Sequence, residues 1–230
     1  RWTSKLGMED ALTDLIICSD ASKQAYGIVC YIKRYLKDQE EGHVSFYFSK
    51  AHVVPLHMTR DPLPLAEDHC GSIPKLELCA GTVAATYKDV LVRESGEEFN
   101  RIHMLTDSHT LISWLEDWVN RLRTFVHHRV SKIRQLTNVN DWGYIPSSLN
   151  PADIVSKGIN ANDTAKWHFF HNGPPHFSRP PETWPKEEVK RRRAKEATVD
   201  PEPGPTDNNS APESETTSPE ETEVTLHATR

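Results

Sequence analysis

Four carboxylates stand at the borders of segments that read as strands and helices. Asp20 closes a short apolar run, and Glu77 opens a long amphipathic stretch. Asp107 follows another apolar run, and Asp153 sits in the first turn of a short helix that starts after Asn150. Strand ends and helix starts in an α/β sheet gather at one edge, where ligands bind. A helix N-terminus also accepts an acid through its dipole. Taken singly, each acid suits a cap or a surface position. Taken together they call for a cation, because like charges brought to one place repel unless a positive ion holds them.

The elements that must position these acids follow from periodicity. Residues 14–20 form a short apolar run that ends in polar residues, as a buried strand does. Residues 24–36 carry Tyr26, Ile28, Cys30 and Ile32 in alternation, and residues 43–50 alternate Val44, Phe46 and Phe48. A polar turn at 38–42 joins them, so the first three strands form an antiparallel meander. Residues 55–74 hold four prolines and read as a surface loop. Residues 75–94 place Leu76, Cys79, Ala80, Val83, Tyr87, Val90 and Leu91 on one stripe of a helix. A fourth strand spans 101–106, and helices follow at 108–119 and 121–136. A fifth strand spans 142–146. A short helix at 151–157 has Pro151 in its first turn and Asn150 as N-cap. The order βββαβααβα is that of an α/β layer fold, with a five-stranded mixed sheet flanked by helices.

Composition divides the chain. Residues 196–230 contain no aromatic residue, nine of the 33 acids and one of the 27 Lys and Arg residues. Such a segment cannot bury enough apolar surface to offset chain entropy. The remainder carries +2 within an overall charge of −6, so the folded part permits a polyanionic partner without demanding one. The expected layout is residues 1–13 as the end of a preceding connection, 14–175 as the folded domain and 176–230 as a disordered linker. Cys18, Cys30, Cys70 and Cys79 show no Cys-x-x-Cys spacing, which leaves zinc unsupported. Cys18 and Cys30 sit in apolar stretches as small core residues. With no apolar span of about 18 residues and no signal peptide, an intracellular setting is expected, in a cytoplasmic particle or the nucleus, with no membrane partner. The start at Arg1 reads as part of a longer product.

Several short motifs share one resemblance. Ser19-Asp20-Ala21-Ser22 followed by Ala25-Tyr26-Gly27 resembles the opening strand pair of retroelement ribonucleases H. Ile73-Pro74-Lys75-Leu76-Glu77-Leu78 resembles the helix start that carries their glutamate, and Leu105-Thr106-Asp107-Ser108 their second aspartate strand. Asn150-Pro151-Ala152-Asp153 with Ser156-Lys157-Gly158 resembles their last aspartate motif. Phe125-Val126 with Arg129-Val130, and Trp167 with Gly173-Pro174, look like the BEL/Pao class of LTR retrotransposons. The likeness runs from about Leu15 to Pro174 and rests on order and spacing. It implies a ribonuclease H-like fold and hydrolysis of the RNA strand of an RNA–DNA hybrid. It also implies an upstream reverse transcriptase and a downstream integrase in one polyprotein.

The same resemblance implies a metal mechanism. Two Mg2+ ions, with Mn2+ able to substitute, would lie about 3.5–4 Å apart and serve the attacking water and the leaving oxygen. Asp20 would bridge both ions. Glu77 and Asp107 would serve the ion at the leaving group, and Asp153 the ion that activates water. Selectivity for RNA would come from 2′-hydroxyl contacts. One departure stands out: cellular ribonucleases H carry a mobile histidine shortly before the last aspartate, and residues 146–149 here are Pro-Ser-Ser-Leu.

Ser22, Ser108 and Asn150 neighbour the acids and serve as turn formers or substrate contacts. On the helix from Arg121, the residues Arg121, His128 and Lys132 share one edge and Arg123, His127 and Arg134 the other, either as a solvated face or as phosphate contacts. Arg129 falls in the apolar stripe, where it would snorkel or meet a carboxylate. His168, His171 and His176 are read as surface residues, and Trp167, Phe169 and Phe170 as packing a helix onto the sheet. The basic run 190–193 reads as a solvated linker helix, a nuclear signal or a nucleic-acid patch. Rival chemistries fit less well. An integrase needs its glutamate last, a proofreading exonuclease needs Asp-x-Glu on its first strand, and an aspartic peptidase needs Asp-Thr-Gly or Asp-Ser-Gly, which is absent. The non-enzymatic alternative is an inactive or domesticated domain that binds nucleic acid or spaces its neighbours.

Overall fold

A computed structural model of the chain describes residues 11–55, 73–116 and 123–185. Five strands form one sheet: β1 (Ala11–Ala21), β2 (Ala25–Leu36), β3 (Gln39–Val53), β4 (Arg101–Thr106) and β5 (Trp142–Tyr144), in the order β3-β2-β1-β4-β5. β1–β2 and β2–β3 are antiparallel, while β1–β4 and β4–β5 are parallel. This is the mixed sheet and strand order of the ribonuclease H-like fold. The helices are α1 (Ile73–Glu94), α2 (His109–Glu116), α3 (Thr124–Leu136), α4 (Ala152–Lys157) and α5 (Thr164–Asn172).

β1 is central and covered on both faces, so nearly every residue along it is buried. This accounts for its continuous apolar run, as in any strand enclosed by helices. Leu15, Ile17, Ile28 and Cys30 face one layer with Leu78, Ala84 and Ala85 of α1 and Val126, Val130 and Ile133 of α3. Ile16, Cys18, Val29 and Tyr31 face the other, with Ala152 of α4 and Phe177. Cys18, Cys30 and Cys79 are buried free thiols, whereas Cys70 and most of the 55–74 loop lie outside the described residues.

Three expectations change. β1 begins at Ala11, pairing with Leu36, so the sheet extends before the boundary placed at 13. On β3, Phe46 and Phe48 do not share a face. A bulge at Tyr47 sets Phe48 opposite Cys30 and Phe46 opposite Tyr31, and the extra residue sends the two rings into different layers. The domain also continues past 175. Phe177 is fully buried and Trp184 is 6% exposed, both within the second apolar layer. The Nζ of the buried Lys33 donates to the Arg179 carbonyl at 2.8 Å, and Trp184 Nε1 donates to the same oxygen at 3.2 Å. Two widely spaced aromatic anchors in a Pro-rich stretch escape a composition argument, yet each fills core volume. Residues 186–230, including the basic run, lie outside the described residues.

At the N-terminal end of β1, Asp14 is buried and accepts from Tyr35 Oη at 3.1 Å. Asn100 Nδ2 donates to Tyr35 Oη at 2.8 Å. This polar knot sits at the opposite end of the strand from Asp20.

Candidate active site

β1 and β4 run parallel with Cys18 beside Leu105 and Ser19 beside Thr106. The next step along both chains is Asp20 and Asp107, so two acids leave the C-terminal ends of the central strands side by side. Asp20 faces the α4 layer, on the same side as Ile16 and Cys18. Its partner across β2 is Gly27. A Cβ at Gly27 would run into the Lys50 carbonyl oxygen and stand 2.7 Å from Val155 Cγ1. The missing side chain therefore lets α4 approach the sheet and bring Asp153 and Ser156 to Asp20. Glu77 arrives from the other layer, on the second turn of α1, which packs against β1. Ser108, the residue after Asp107, donates its hydroxyl to Glu77 Oε2 and accepts the Leu111 N–H at 3.0 Å. One serine thus caps α2 and ties Glu77 to the Asp107 strand end.

Each of the four acids has a specific donor. Ser156 Oγ donates to Asp20 Oδ2, and Ser147 Oγ donates to Asp107 Oδ2 at 2.5 Å. Ser108 serves Glu77, and the Lys157 ammonium pairs with Asp153 one turn back on α4. Asn150 Nδ2 reaches Asp107 Oδ1 at 3.4 Å and the Ser19 carbonyl at 3.0 Å. Ser147 and Ser156 carry no assigned role in the sequence reading. Their only signal there is position, one in the segment that lacks a histidine and one in the Ser-Lys-Gly string.

The electrostatics are those of crowded anions. Burial raises the Asp20 carboxyl from 3.8 to about 7, and the charge of Asp107 adds to this. The Ser156 hydroxyl opposes the rise, while a hydrogen bond to Asp107 and the charge of Asp153 reinforce it. Lys157 is held above its ordinary value, first by its bond to Asp153 and also by the fields of Asp20 and Asp107. Asp20, Asp107 and Asp153 therefore sense one another, and Glu77 is joined to them through Ser108.

The residues fit a hard divalent cation in their chemistry. They are carboxylates and hydroxyls, and the carboxyl at their centre is forced towards its neutral form by burial and by neighbouring anions. Among the described residues, however, no three His, Cys, Asp or Glu side chains stand close enough to chelate one ion as they lie. The acids are turned to hydroxyl and ammonium donors instead.

The remaining site expectations fall out separately. Ser22 accepts the N–H groups of Gln24 at 3.1 Å and Ala25 at 3.2 Å and donates to the Ser156 carbonyl at 2.7 Å. It builds the β1–β2 turn and fastens it to α4. Lys132 is exposed on α3, and Arg121 lies outside the described residues. Arg129 lies over Phe125, with its Cζ 3.5 Å from the ring centroid and Nη1 donating to the Phe125 carbonyl at 3.2 Å, and among the described residues it pairs with no carboxylate. His168 and His171 are exposed, as expected, and His176 is half-buried beside Phe177 and Trp184.

Residues 4–108 match the family model described as Pao retrotransposon-like RNaseH-like domain, a span that holds Asp20, Glu77 and Asp107 and stops before Asp153. No curated protein matches the chain. Among solved structures, RNase H1 from the halophilic archaeon Halobacterium salinarum NRC-1 is 13% identical with a TM-score of 0.38, over 63% of this chain and 94% of that one. The N-terminal RNase H domain of a Mycobacterium tuberculosis protein, solved as a fusion with maltose-binding protein, is 10% identical. Its TM-score is 0.40, over 68% of this chain and 98% of that one.

Proposed function

We propose that this chain, which carries a Pao retrotransposon-like RNaseH-like domain over residues 4–108, is a metal-dependent endonuclease that hydrolyses the RNA strand of RNA–DNA hybrids during reverse transcription. The observation that supports the reading is that Asp20 and Asp107 leave the C-terminal ends of β1 and β4 side by side, with Asp153 near enough to add its charge, Asp20 raised by burial and by these neighbours, and Glu77 tied to the Asp107 strand end through Ser108. Two Mg2+ ions bound there, or Mn2+ in their place, would supply a nucleophilic water and neutralise the leaving oxygen. In this reading Asp20, Glu77, Asp107 and Asp153 would together hold the ions.

The chain's own groups have defined tasks. Ser108, Ser147 and Ser156 hold the carboxyl groups of Glu77, Asp107 and Asp20 in place. Lys157 neutralises Asp153 and would offer a cation to a phosphate oxygen. Exposed bases at the N-cap of α3, Arg123, and along it, Lys132 and Arg134, would take phosphates of the duplex, the contacts that position a nucleic acid without reading its sequence. As part of a polyprotein, the domain would follow a reverse transcriptase and precede an integrase.

The Lys157–Asp153 pair also favours a second reading, a nucleic-acid-binding domain without catalysis, because an acid kept in an ion pair is not available to a metal. One experiment separates the two. The purified chain is incubated with a 5′-labelled RNA strand annealed to DNA, with Mg2+ or with chelator. Cleavage of the RNA strand in the hybrid alone, abolished by chelator, is the expected result. Binding of the hybrid with no cleavage in Mg2+ or Mn2+ overturns the enzyme reading.

A further inference from the structure

Asn150 is 2% exposed and lies between three of the acids. Its side-chain amide has two donor hydrogens and one acceptor oxygen. One donor goes to the carbonyl of Ser19, the peptide that leads into Asp20, at 3.0 Å. The other goes to Asp107 Oδ1 at 3.4 Å. The oxygen accepts the N–H of Ala152, the residue before Asp153, at 3.1 Å. The main-chain carbonyl of Asn150 then accepts the N–H of Asp153 itself at 3.1 Å. Both donors are used inside the protein, so none is left for a phosphate or a 2′-hydroxyl.

We infer that Asn150 is a positioning residue that sets the spacing of Asp20, Asp107 and Asp153 for metal binding, and that it makes no contact with nucleic acid. This rests on the function proposed above. Three elements that are distant in sequence, β1, the end of β4 and the start of α4, meet on one planar group. The Ser147 hydroxyl takes the second oxygen of Asp107 from the same short segment, so the 147–150 turn grips that carboxylate from both sides.

The test uses Asn150→Ser in the full chain. Serine keeps an oxygen able to accept the Ala152 N–H and is as good a helix cap as asparagine, but it lacks the planar pair of donors. Three quantities are measured beside the wild type: Mn2+ affinity by titration calorimetry, hybrid affinity in chelator, and the thermal midpoint in chelator. The expected result is Mn2+ binding weakened about 10-fold or more, the range seen when the partner of a metal ligand is removed. Hybrid affinity in chelator should be unchanged and the midpoint lowered by no more than a few degrees. Wild-type Mn2+ affinity in Asn150→Ser overturns the inference. So does a loss of hybrid affinity in chelator, which would mark Asn150 as a substrate contact. A loss of Mn2+ affinity that is restored on cooling, in step with recovery of the fold, overturns it as well. A wild type that binds no Mn2+ sinks the proposed function and this inference together, whereas a metal-binding wild type with an equally competent Asn150→Ser sinks only this inference.

Discussion

Asp20 shows how one side chain carries both stability and chemistry. In the folded, metal-free chain its carboxyl titrates near 7, above the ordinary 3.8, first because it is buried and then because Asp107 is adjacent. The folded state therefore favours the protonated form. That contribution to stability is complete below about pH 4 and is lost as the pH rises through about 7, an effect on the order of 4 kcal/mol. Urea unfolding in chelator should accordingly show stability falling between pH 4.5 and 8, on top of the titration of other groups. Asp20→Asn should remove most of that decline, leaving a protein at least as stable as the wild type at pH 8 and still able to bind hybrid, but with cleavage nearly abolished. Undiminished cleavage by a folded Asp20→Asn protein would falsify the two-metal reading. Unchanged pH dependence would show that the charge crowding lies elsewhere. Saturating Mg2+ should reverse the decline in the wild type, since a cation favours the ionised carboxyl.

At the scale of elements, the site depends on how closely α4 approaches the sheet. Gly27 makes room for it, and no other residue fits without moving either the Lys50 carbonyl or Val155. Gly27→Ala should cost about 1–3 kcal/mol, as overpacking does. It should also shift Asp153 and Ser156 away from Asp20, so that Mn2+ affinity falls more than stability alone accounts for. Calorimetry well below the melting temperature of the variant checks this, and unaltered Mn2+ affinity would show that α4 does not need the close approach. The parallel pairing of β1 with β4 does similar work: its backbone ladder, ending at Ser19 beside Thr106, brings Asp20 next to Asp107. On α3, the cation stacked on Phe125 explains how an arginine is tolerated in an apolar stripe, since the ring face attracts the guanidinium.

For the molecule as a whole, the segment after α5 belongs to the core. Ending the chain at Pro175 deletes Phe177 and Trp184, and removing one buried aromatic side chain alone costs about 3–5 kcal/mol. That protein should melt far lower than one ending at Pro185, which should match the full chain. Equal midpoints for the two truncations would show that the aromatic anchors contribute nothing. No helix among the described residues is long and apolar enough to cross a membrane. Much of this molecule was legible in its sequence. Periodicity marked the strands and helices, because burial on one face leaves a repeat of two or of 3.6 residues. The motifs around Asp20, Glu77, Asp107 and Asp153 marked the acids. Other features were decided only in three dimensions. The bulge at Tyr47 depends on two layers competing for neighbouring rings. The inclusion of Phe177 and Trp184 depends on the apolar layer over Ile16, Cys18, Val29 and Tyr31, which local composition does not report. The donors Ser147, Ser156 and Asn150 act across separations of 40, 136 and 131 residues. A hydroxyl or amide has the same local sequence signature whether it faces water or a carboxylate, so its partner is set by which chain ends the sheet brings together.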